Sequence, residues 1–562
     1  DVAVPVVSGT FIVLIVFSPL LTMTGLEGKL FTPVALTIVF AMISALALSL
    51  TVIPVLGSLL LGKSPLVPGY ILRLQALYRA TLQRAVSAPR VLLLILASVL
   101  AGSLVLFTIT GKTFMPTLDE GDLIVQLEKS PSISLAASTE LDKQVERAIL
   151  DSVPEVRQIV ARTGSDEIGL DPMGLNETDI FMELNPPEEW RFSTKAALTD
   201  SMREVLSGFP GINFSFTQPI DMRVTEMLTG SSGDLAIKVF GNDVATLAAI
   251  VDQVQAVVKD TAGAVDTTAA VIEGGEFFNV ALSHELAARH GMTVETLSRD
   301  ITAQLEGLVV SEIIDGKKRF PLVIAGRGDD SPASASIPAL AQQIVQLPDG
   351  TLASLQDIAE LSYREGPLLI ERERGNRFGV VTTNVEDRDI VSFVEAVDQA
   401  IAQRVALPTG YAIEFGGEFE NQQRAARNLL MVVPAALLLI LVILFTTFRS
   451  MPLATLILAN IPFALMGGII ALFISGEYLS VPAAVGFIAL LGVAVLNGVV
   501  MVSYFVDSRA TVFDATTRVI SGAVKRVRPI LMTATTAMFG LMPLIFAAGP
   551  GAEIQRPLAI VV

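Results

Sequence analysis

Two kinds of side chain stand where polar groups are costly and could do chemistry. Asn497 interrupts the apolar run Leu490–Val502, and Thr533, with Thr535 and Thr536, lies early in the run Ile530–Ala548. An amide or hydroxyl there can serve a proton relay or hold neighbouring helices together. Ala494 and Gly498 form a small-xxx-small pair around Asn497, which supports the second use, and both readings stand. Elsewhere the signals are weaker. His284 and His290 are six residues apart, so they do not share a helical face as i, i+4 ligands would, and they read as surface histidines. There is no cysteine, hence no thiolate metal site and no disulfide. No nucleophile–base arrangement, phosphate-cradling glycine loop or nucleotide motif occurs; Gly467-Gly468 lies inside an apolar run, where small residues permit close packing. Enzymatic chemistry, a cofactor and direct use of ATP are therefore not expected.

The elements that must position these residues are membrane helices. Hydrophobic residues make up 52% of the chain, and the mean hydropathy is positive. Runs long enough for a bilayer of about 30 Å are Val6–Met23, Leu30–Leu61, Val91–Ile109, Leu429–Phe448, Leu453–Ile474, Val481–Val506 and Ile530–Ala548. None carries Asp, Glu, Lys or Arg in its middle. The loop 62–90 holds Lys63, Arg73, Arg79, Arg84 and Arg90 with no acid, and Asp507–Pro529 is also rich in Lys and Arg. The positive-inside rule places both in the cytoplasm and the block Lys112–Ala425 on the far side. The chain lacks an initiating Met and ends in the apolar run Leu558–Val562, so it reads as an internal fragment of a longer protein.

The block holds 50 of the 56 acids and 25 of the 39 bases. Such a surface repels nucleic acid and concentrates cations, although an ordinary soluble surface would look the same. Its pattern repeats. Strand Asp122–Gln126, helix Ser134–Leu150, strands Val156–Arg162 and Asp179–Leu184, helix Thr194–Ser207 and strand Ile212–Phe216 spell β-α-β-β-α-β. The pattern starts again at Leu235–Phe240, Ala245–Lys259 and Val265–Val271, and resumes at Phe378–Val385, Ile390–Arg404 and Tyr411–Phe415. Residues 277–373 between the halves read as an inserted subdomain. The expected organisation is therefore transmembrane helices over 1–111, a first subdomain over 112–233, a second over 234–425 with its insertion, and transmembrane helices over 426–562. Trp190, after Glu188-Glu189, reads as a loop anchor.

These residues carry a resemblance. Phe114-Met-Pro-Thr-Leu-Asp-Glu-Gly-Asp-Leu, Asp171-Pro-Met-Gly-Leu-Asn-Glu-Thr-Asp and Glu188-Glu-Trp-Arg resemble the heavy-metal efflux branch of the RND (resistance–nodulation–cell division) permeases. Gly486-Phe-Ile-Ala-Leu-Leu-Gly-Val-Ala-Val-Leu-Asn-Gly and Arg526-Val-Arg-Pro-Ile-Leu-Met-Thr resemble its tenth and eleventh helices. The resemblance implies a polytopic α-helical membrane protein with a large α+β periplasmic region. In it, two ferredoxin-like βαββαβ porter subdomains are expected, the second carrying a docking subdomain. The seven apolar runs would be helices five to eleven, with Leu558 opening the twelfth.

The implied activity is proton-driven export of heavy-metal cations, of the Cu/Ag or the Zn/Co/Cd class, through the inner membrane of a Gram-negative bacterium. Implied partners are two further copies, a periplasmic adaptor and an outer-membrane channel. Carrying the metal-site pattern over gives Met227 and Met292, with Glu177 in place of a third methionine. Thioethers suit Cu(I) and Ag(I) whereas carboxylates suit harder divalent ions, so this mixed set fits either class. Met222 and Glu226 are neighbours that could join it. Asn497, Thr533 and Arg526 fall at positions used around the family's proton relay, and Arg526 serves equally as a cytoplasmic anchor. Leu496 departs from the family, whose members carry a Lys or an acid there. Two further readings are an RND exporter of organic amphiphiles and a membrane receptor that does not transport.

Overall fold

The computed structural model describes residues 3–23, 25–60, 69–116, 118–165, 173–223, 233–269, 274–305, 307–324, 337–367, 369–508, 514–547, 549 and 551–562. Apolar sequence builds α1 (Ala3–Phe17), α2 (Gly25–Leu60) and α4 (Pro89–Ile109). Of these, α2 and α4 are long and apolar enough to cross a membrane, and α1 belongs to a shorter apolar stretch that runs on through a 3-10 turn at Ser18–Thr22. The segment read as a loop contains the helix α3 (Gly69–Ser87), with Arg73, Arg79 and Arg84 along it.

Past Leu123 the period of hydrophobicity falls to two, and strands appear. The first subdomain runs β1 (Leu123–Glu128), α5 (Leu135–Ser152), β2 (Val156–Thr163), β3 (Glu177–Leu184), α6 (Lys195–Leu206) and β4 (Asn213–Thr217). The strands pair antiparallel in the order β2-β3-β1-β4, the split βαβ arrangement. Alternation sends Leu123, Val125, Leu127, Ile180 and Met182 into the core under α5 and α6. The same alternation leaves Gln126, Glu128, Glu177 and Asp179 on the opposite, polar face.

The second subdomain repeats this plan with β5 (Leu235–Phe240), α7 (Val244–Lys259) and β6 (Ala264–Ala269) before the insertion. The insertion leaves on β7 (Gly275–Leu282), continues through α8 (Val294–Leu305), β8 (Leu308–Asp315) and β9 (Lys318–Ile324), and returns on β10 (Ala359–Gly366). The outgoing and returning strands pair from Gly275↔Gly366 to Leu282↔Ala359, a two-stranded stem. The sheet then resumes with β11 (Glu371–Glu373), β12 (Asn376–Val385), α9 (Ile390–Arg404) and β13 (Ala412–Gly417). Its order is β11-β12-β5-β13, with β6 also on β12. The insertion thus closes at Gly366, and Glu371–Glu373, which the sequence assigned to it, belongs to the second sheet. The helices of both sandwiches begin on a polar cap. Ser134, Thr194, Asp243 and Asp389 accept the backbone N–H of Ala137, Ala197, Thr246 and Ser392.

From β13 the chain enters α10 (Glu418–Phe448) with no loop between. Gly417 makes the join with φ of +82°, and a Cβ there would lie 2.6 Å from the carbonyl oxygen of Asp234, so only glycine fits. The remaining helices are α11 (Met451–Leu458), α12 (Ile461–Ser475), α13 (Val481–Asp507), α14 (Ala515–Ile545) and α15 (Ala552–Val561). The run Leu453–Ile474 breaks into α11 and α12 around Asn460, whose Nδ2 donates to the Ala494 carbonyl at 3.1 Å. Ile12 and Val16 of α1, Leu20 of the 3-10 turn after it, Ile440 and Leu444 of α10, and Ile488, Val495 and Val499 of α13 share one core. The small residues around Asn497 do bring helices together: a Cβ on Gly498 would stand 3.0 Å from Ile457 of α11.

Candidate functional site

The polar faces of the two sheets are turned toward each other. Parity along β5 puts Leu235, Ile237 and Val239 in the core and Lys238 and Phe240 on the outer face. Register adds Glu414, opposite Lys238, and Phe378, opposite both Phe240 and Glu371. At one end the faces touch. Gln126, Ser215 and Thr217 meet Thr382 and Asn384 with only about 10 Å³ of space left, and Asn384 Nδ2 donates to the Phe216 carbonyl at 3.0 Å.

Arg203 of α6 ties this end together. Its Nε and Nη2 donate to the two carboxylate oxygens of Asp266 at 3.0 and 2.9 Å, and Nη2 also reaches Glu386 at 2.8 Å. Farther along, Glu177 stands at the first position of β3, opposite Glu128, and its Oε2 accepts the Gly174 N–H at 2.9 Å. On the second sheet, Glu371 is partly buried. That burial raises its pKa, with Lys238 pulling the other way and the negative charge of Glu177 adding to the rise. The two sheets therefore touch at the end that Arg203 ties together, and Glu177 and Glu371 lie on their outer faces, where the charge of Glu177 acts on Glu371.

Of the three metal ligands expected from the resemblance, only Glu177 lies on one of these sheet faces. Met227 and its neighbour Glu226 lie outside the described residues. Met292 is buried in the small core of the insertion with Leu297, Val345, Leu347, Leu355 and Ile358. Met222 is buried too. Among the described residues no three His, Asp or Glu side chains come together as a metal cluster. His290 Nδ1 lies 3.1 Å from Asp349 Oδ2 on the insertion, a surface partner as the spacing suggested. Trp190 Nε1 donates to the Asn185 carbonyl and anchors its loop.

The relay candidates sit on neighbouring helices. Arg526 of α14 stacks over the Tyr504 ring of α13, guanidinium carbon 5.1 Å from the ring centroid. Asn497 is seven residues before Tyr504 and Thr533 seven after Arg526, two turns along in each case and so on the same stripes. The Thr533 hydroxyl donates to the Ile530 carbonyl of its own helix at 2.9 Å. Leu496 packs on α1, where a Cβ added to Gly9 would be 2.2 Å from its Cδ1.

The family model described as "AcrB/AcrD/AcrF family" matches residues 1–562. The chain belongs to this family, the RND permeases. It is 37% identical over 571 residues to "Cation efflux system protein CzcA" of Alcaligenes sp. (strain CT14), covering 99% of this chain and 53% of that protein. It is 33% identical to "Cation efflux system protein CusA" of Escherichia coli (strain K12), covering 100% of this chain and 55% of that one. In fold it is similar to a solved structure titled "X-ray crystal structure of a heavy metal efflux pump, crystal form II", with a TM-score of 0.88, 31% identity, and coverage of 100% of this chain and 55% of that one. The chain spans about half the length of the relatives it matches.

Several charged groups of this RND permease were not legible beforehand. Fully buried Glu27, at the start of α2, lies 3.8 Å from Arg424 Nε on α10. Half-buried Asp234 accepts the Val385 N–H at 2.8 Å through Oδ2, and its carbonyl accepts the Glu418 N–H at 2.9 Å. Its depth between sheet and helix pushes its pKa up to about 7; the Val385 bond opposes the rise, and the charges of Asp221, Glu386 and Asp266 add to it. The folded state thus holds a proton that the unfolded chain, with an ordinary value of 3.8, releases. Stability from this group is present at low pH and is lost as pH rises through about 4 to 7. Lowering the pH from about 8 to 5 should raise the melting temperature, and Asp234→Asn should reduce that rise; an unchanged pH slope in the variant would assign it to other groups.

Proposed function

We propose that this chain is the second half of a proton-driven permease that exports heavy-metal cations across the inner membrane of a Gram-negative bacterium. The observation that carries the reading is that the chain is similar throughout to named cation efflux proteins, with two sheet subdomains whose polar faces meet and carry Glu177 and Glu371. In this reading the two sheet subdomains are periplasmic porter units and the stem-linked insertion is the docking subdomain. The complete protein works as a homotrimer with a periplasmic adaptor and an outer-membrane channel. Glu177 is a cation ligand, and Met227 and Met292 supply thioethers when the ion is soft. Proton uptake acts through the stripe of Arg526, Asn497 and Thr533, which biases the porter units between open and closed states.

The test uses the complete protein in a metal-sensitive strain. Glu177→Gln should lower Zn(II) or Co(II) resistance and weaken binding about tenfold, the equivalent of about 1.4 kcal/mol. Replacing Met227 and Met292 together by Ile should abolish Ag(I) and Cu(I) resistance. Unchanged resistance to all four ions in both variants would remove the proposed site. A second reading, export of organic amphiphiles, draws on the largely apolar 340 Å³ cavity between α4, α10, α12 and α13, lined by Phe107, Leu429, Val433 and Phe487. Metal-independent efflux of a hydrophobic dye would favour it.

A further inference from the structure

The chain carries a formal net charge of −17, yet residues 62–90 hold basic side chains and no acid. Arg73, Arg79 and Arg84 of α3 and Arg90 of α4 are exposed. Among the described residues none of the four lies within ion-pair distance of a carboxylate. Three arginines along its 19 residues make α3 unsuited to cross a bilayer. It joins the membrane-spanning α4 through Ala88 alone, whose N–H still donates to the Arg84 carbonyl at 3.1 Å, so it lies at the end of a span.

The residues of α3 sort by the helical period. Ile71, Gln75, Tyr78, Leu82 and Ala85 form its half-buried face, and Gln75 Nε2 reaches the Val524 carbonyl of α14 at 3.5 Å. Next around the helix come Leu74 and Leu77, 42% and 64% exposed, and beyond them Arg73 and Arg84. Arg79 shares the opposite flank with Leu72. Exposed leucines bordered by arginines suit a helix lying in the headgroup layer. Arg90 stands in the first turn of α4, where the helix dipole opposes a cation and no side chain caps the end. An anion there would meet both the guanidinium and the first-turn backbone N–H groups.

We propose that α3 is a docking surface for anionic phospholipid, and that headgroups held by Arg73, Arg79, Arg84 and Arg90 steady the part of α14 on which α3 packs. Charge complementarity selects the occupant, since acidic lipid is what a basic segment at a membrane surface attracts. The exposed leucines add a demand for acyl chain that a soluble anion does not meet. Lys525 and Arg526 follow Val524 directly, so the lipid acts beside the Arg526–Tyr504 stack. The inference holds whatever the permease exports.

The test uses the full chain in nanodiscs of phosphatidylcholine alone, or of phosphatidylcholine and phosphatidylglycerol in equal parts. The chain has no cysteine, so Leu77→Cys places a single fluorophore on the docking face. Bromine on the acyl chains should quench it several-fold more strongly in the anionic discs, and high salt should remove part of the difference. Arg73→Gln, Arg79→Gln, Arg84→Gln and Arg90→Gln together should abolish the difference, whereas Lys at the same four positions should keep most of it. Equal quenching in both discs, or a Gln variant that responds as the parent does, overturns the proposal. So does loss of the difference on adding inorganic phosphate, which would assign the arginines to a soluble anion. Charge that serves only to orient the chain during insertion predicts no dependence on headgroups in the folded protein. Hydrogen exchange of the unaltered chain guards against a folding defect and tests the link to α14. Residues 515–524 should exchange several-fold more slowly in the anionic discs, and a flat rate there overturns the hold on α14.

Discussion

Replacing Arg203 by Met should destabilise the joint between the two sheet subdomains by about 3–5 kcal/mol, the usual cost of removing one partner from a buried charge pair. The guanidinium side chain is 18% exposed and the Asp266 carboxylate 4%, so Asp266 would be left as an uncompensated buried charge. Bidentate geometry makes this pair strong, and Glu386 and Asp200 occupy further donors. The cation also stacks 5.4 Å from the Phe216 ring centroid, a smaller contribution that Met partly replaces. Arg203→Lys should fall between, since it keeps the charge but loses the fork. Chemical unfolding of the two variants beside the parent checks this, and a parent-like midpoint in Arg203→Met would show that the two halves are held by something else. Because the contact is partly buried, salt should change the result little.

The second large effect is expected inside the first subdomain. Lys129 and Asp142 are almost wholly buried with Nζ and Oδ1 2.7 Å apart. Nζ also donates to Ser138 at 2.6 Å and Thr178 at 2.7 Å, while the Thr178 and Thr163 hydroxyls donate to Asp142 Oδ2 at 2.9 and 2.8 Å. Lys129→Met alone should cost about 3–5 kcal/mol, because it strands the carboxylate. Pairing it with Asp142→Leu should recover most of the loss, since apolar residues of similar volume often replace a buried pair at little cost. Additive losses in the double variant would count against this account, and a double-variant unfolding cycle measures the difference directly.

Much of the architecture was legible because it rests on periodicity. The apolar runs and the twice-repeated β-α-β-β-α-β pattern both follow from which face each residue must hide, and single residues carry little of that signal. What was not legible lies where a helix leaves the apolar layer. α10 starts at Glu418, eleven residues before Leu429, and α14 starts at Ala515, well before Ile530, because polar and basic residues continue a helix without continuing a hydrophobic run. The break at Asn460 was hidden for the opposite reason, since the residues on both sides of it are apolar. The candidate site was less legible than the fold. Glu177 came from a resemblance, whereas Glu371 and Lys238 come onto one sheet face only through strand register across an insertion. Lys129 offered a faint clue: it continues the inward parity of Leu123, Val125 and Leu127, where a charge needs a partner.

The direct passage of β13 into α10 makes the second sheet and that membrane helix one lever. With 31 residues the arm is about 46 Å long at 1.5 Å per residue. A tilt of about 5° at Gly417 would sweep the far end through about 4 Å, of the order of one helical turn. Pro434 lies midway, where a missing backbone donor lets the shaft bend and take up part of the sweep. Such an arm has a mechanical advantage that works in both directions. A small rotation of the sheet would become a larger displacement at the far end of the helix, and force applied there would return to the sheet reduced in travel and multiplied in strength.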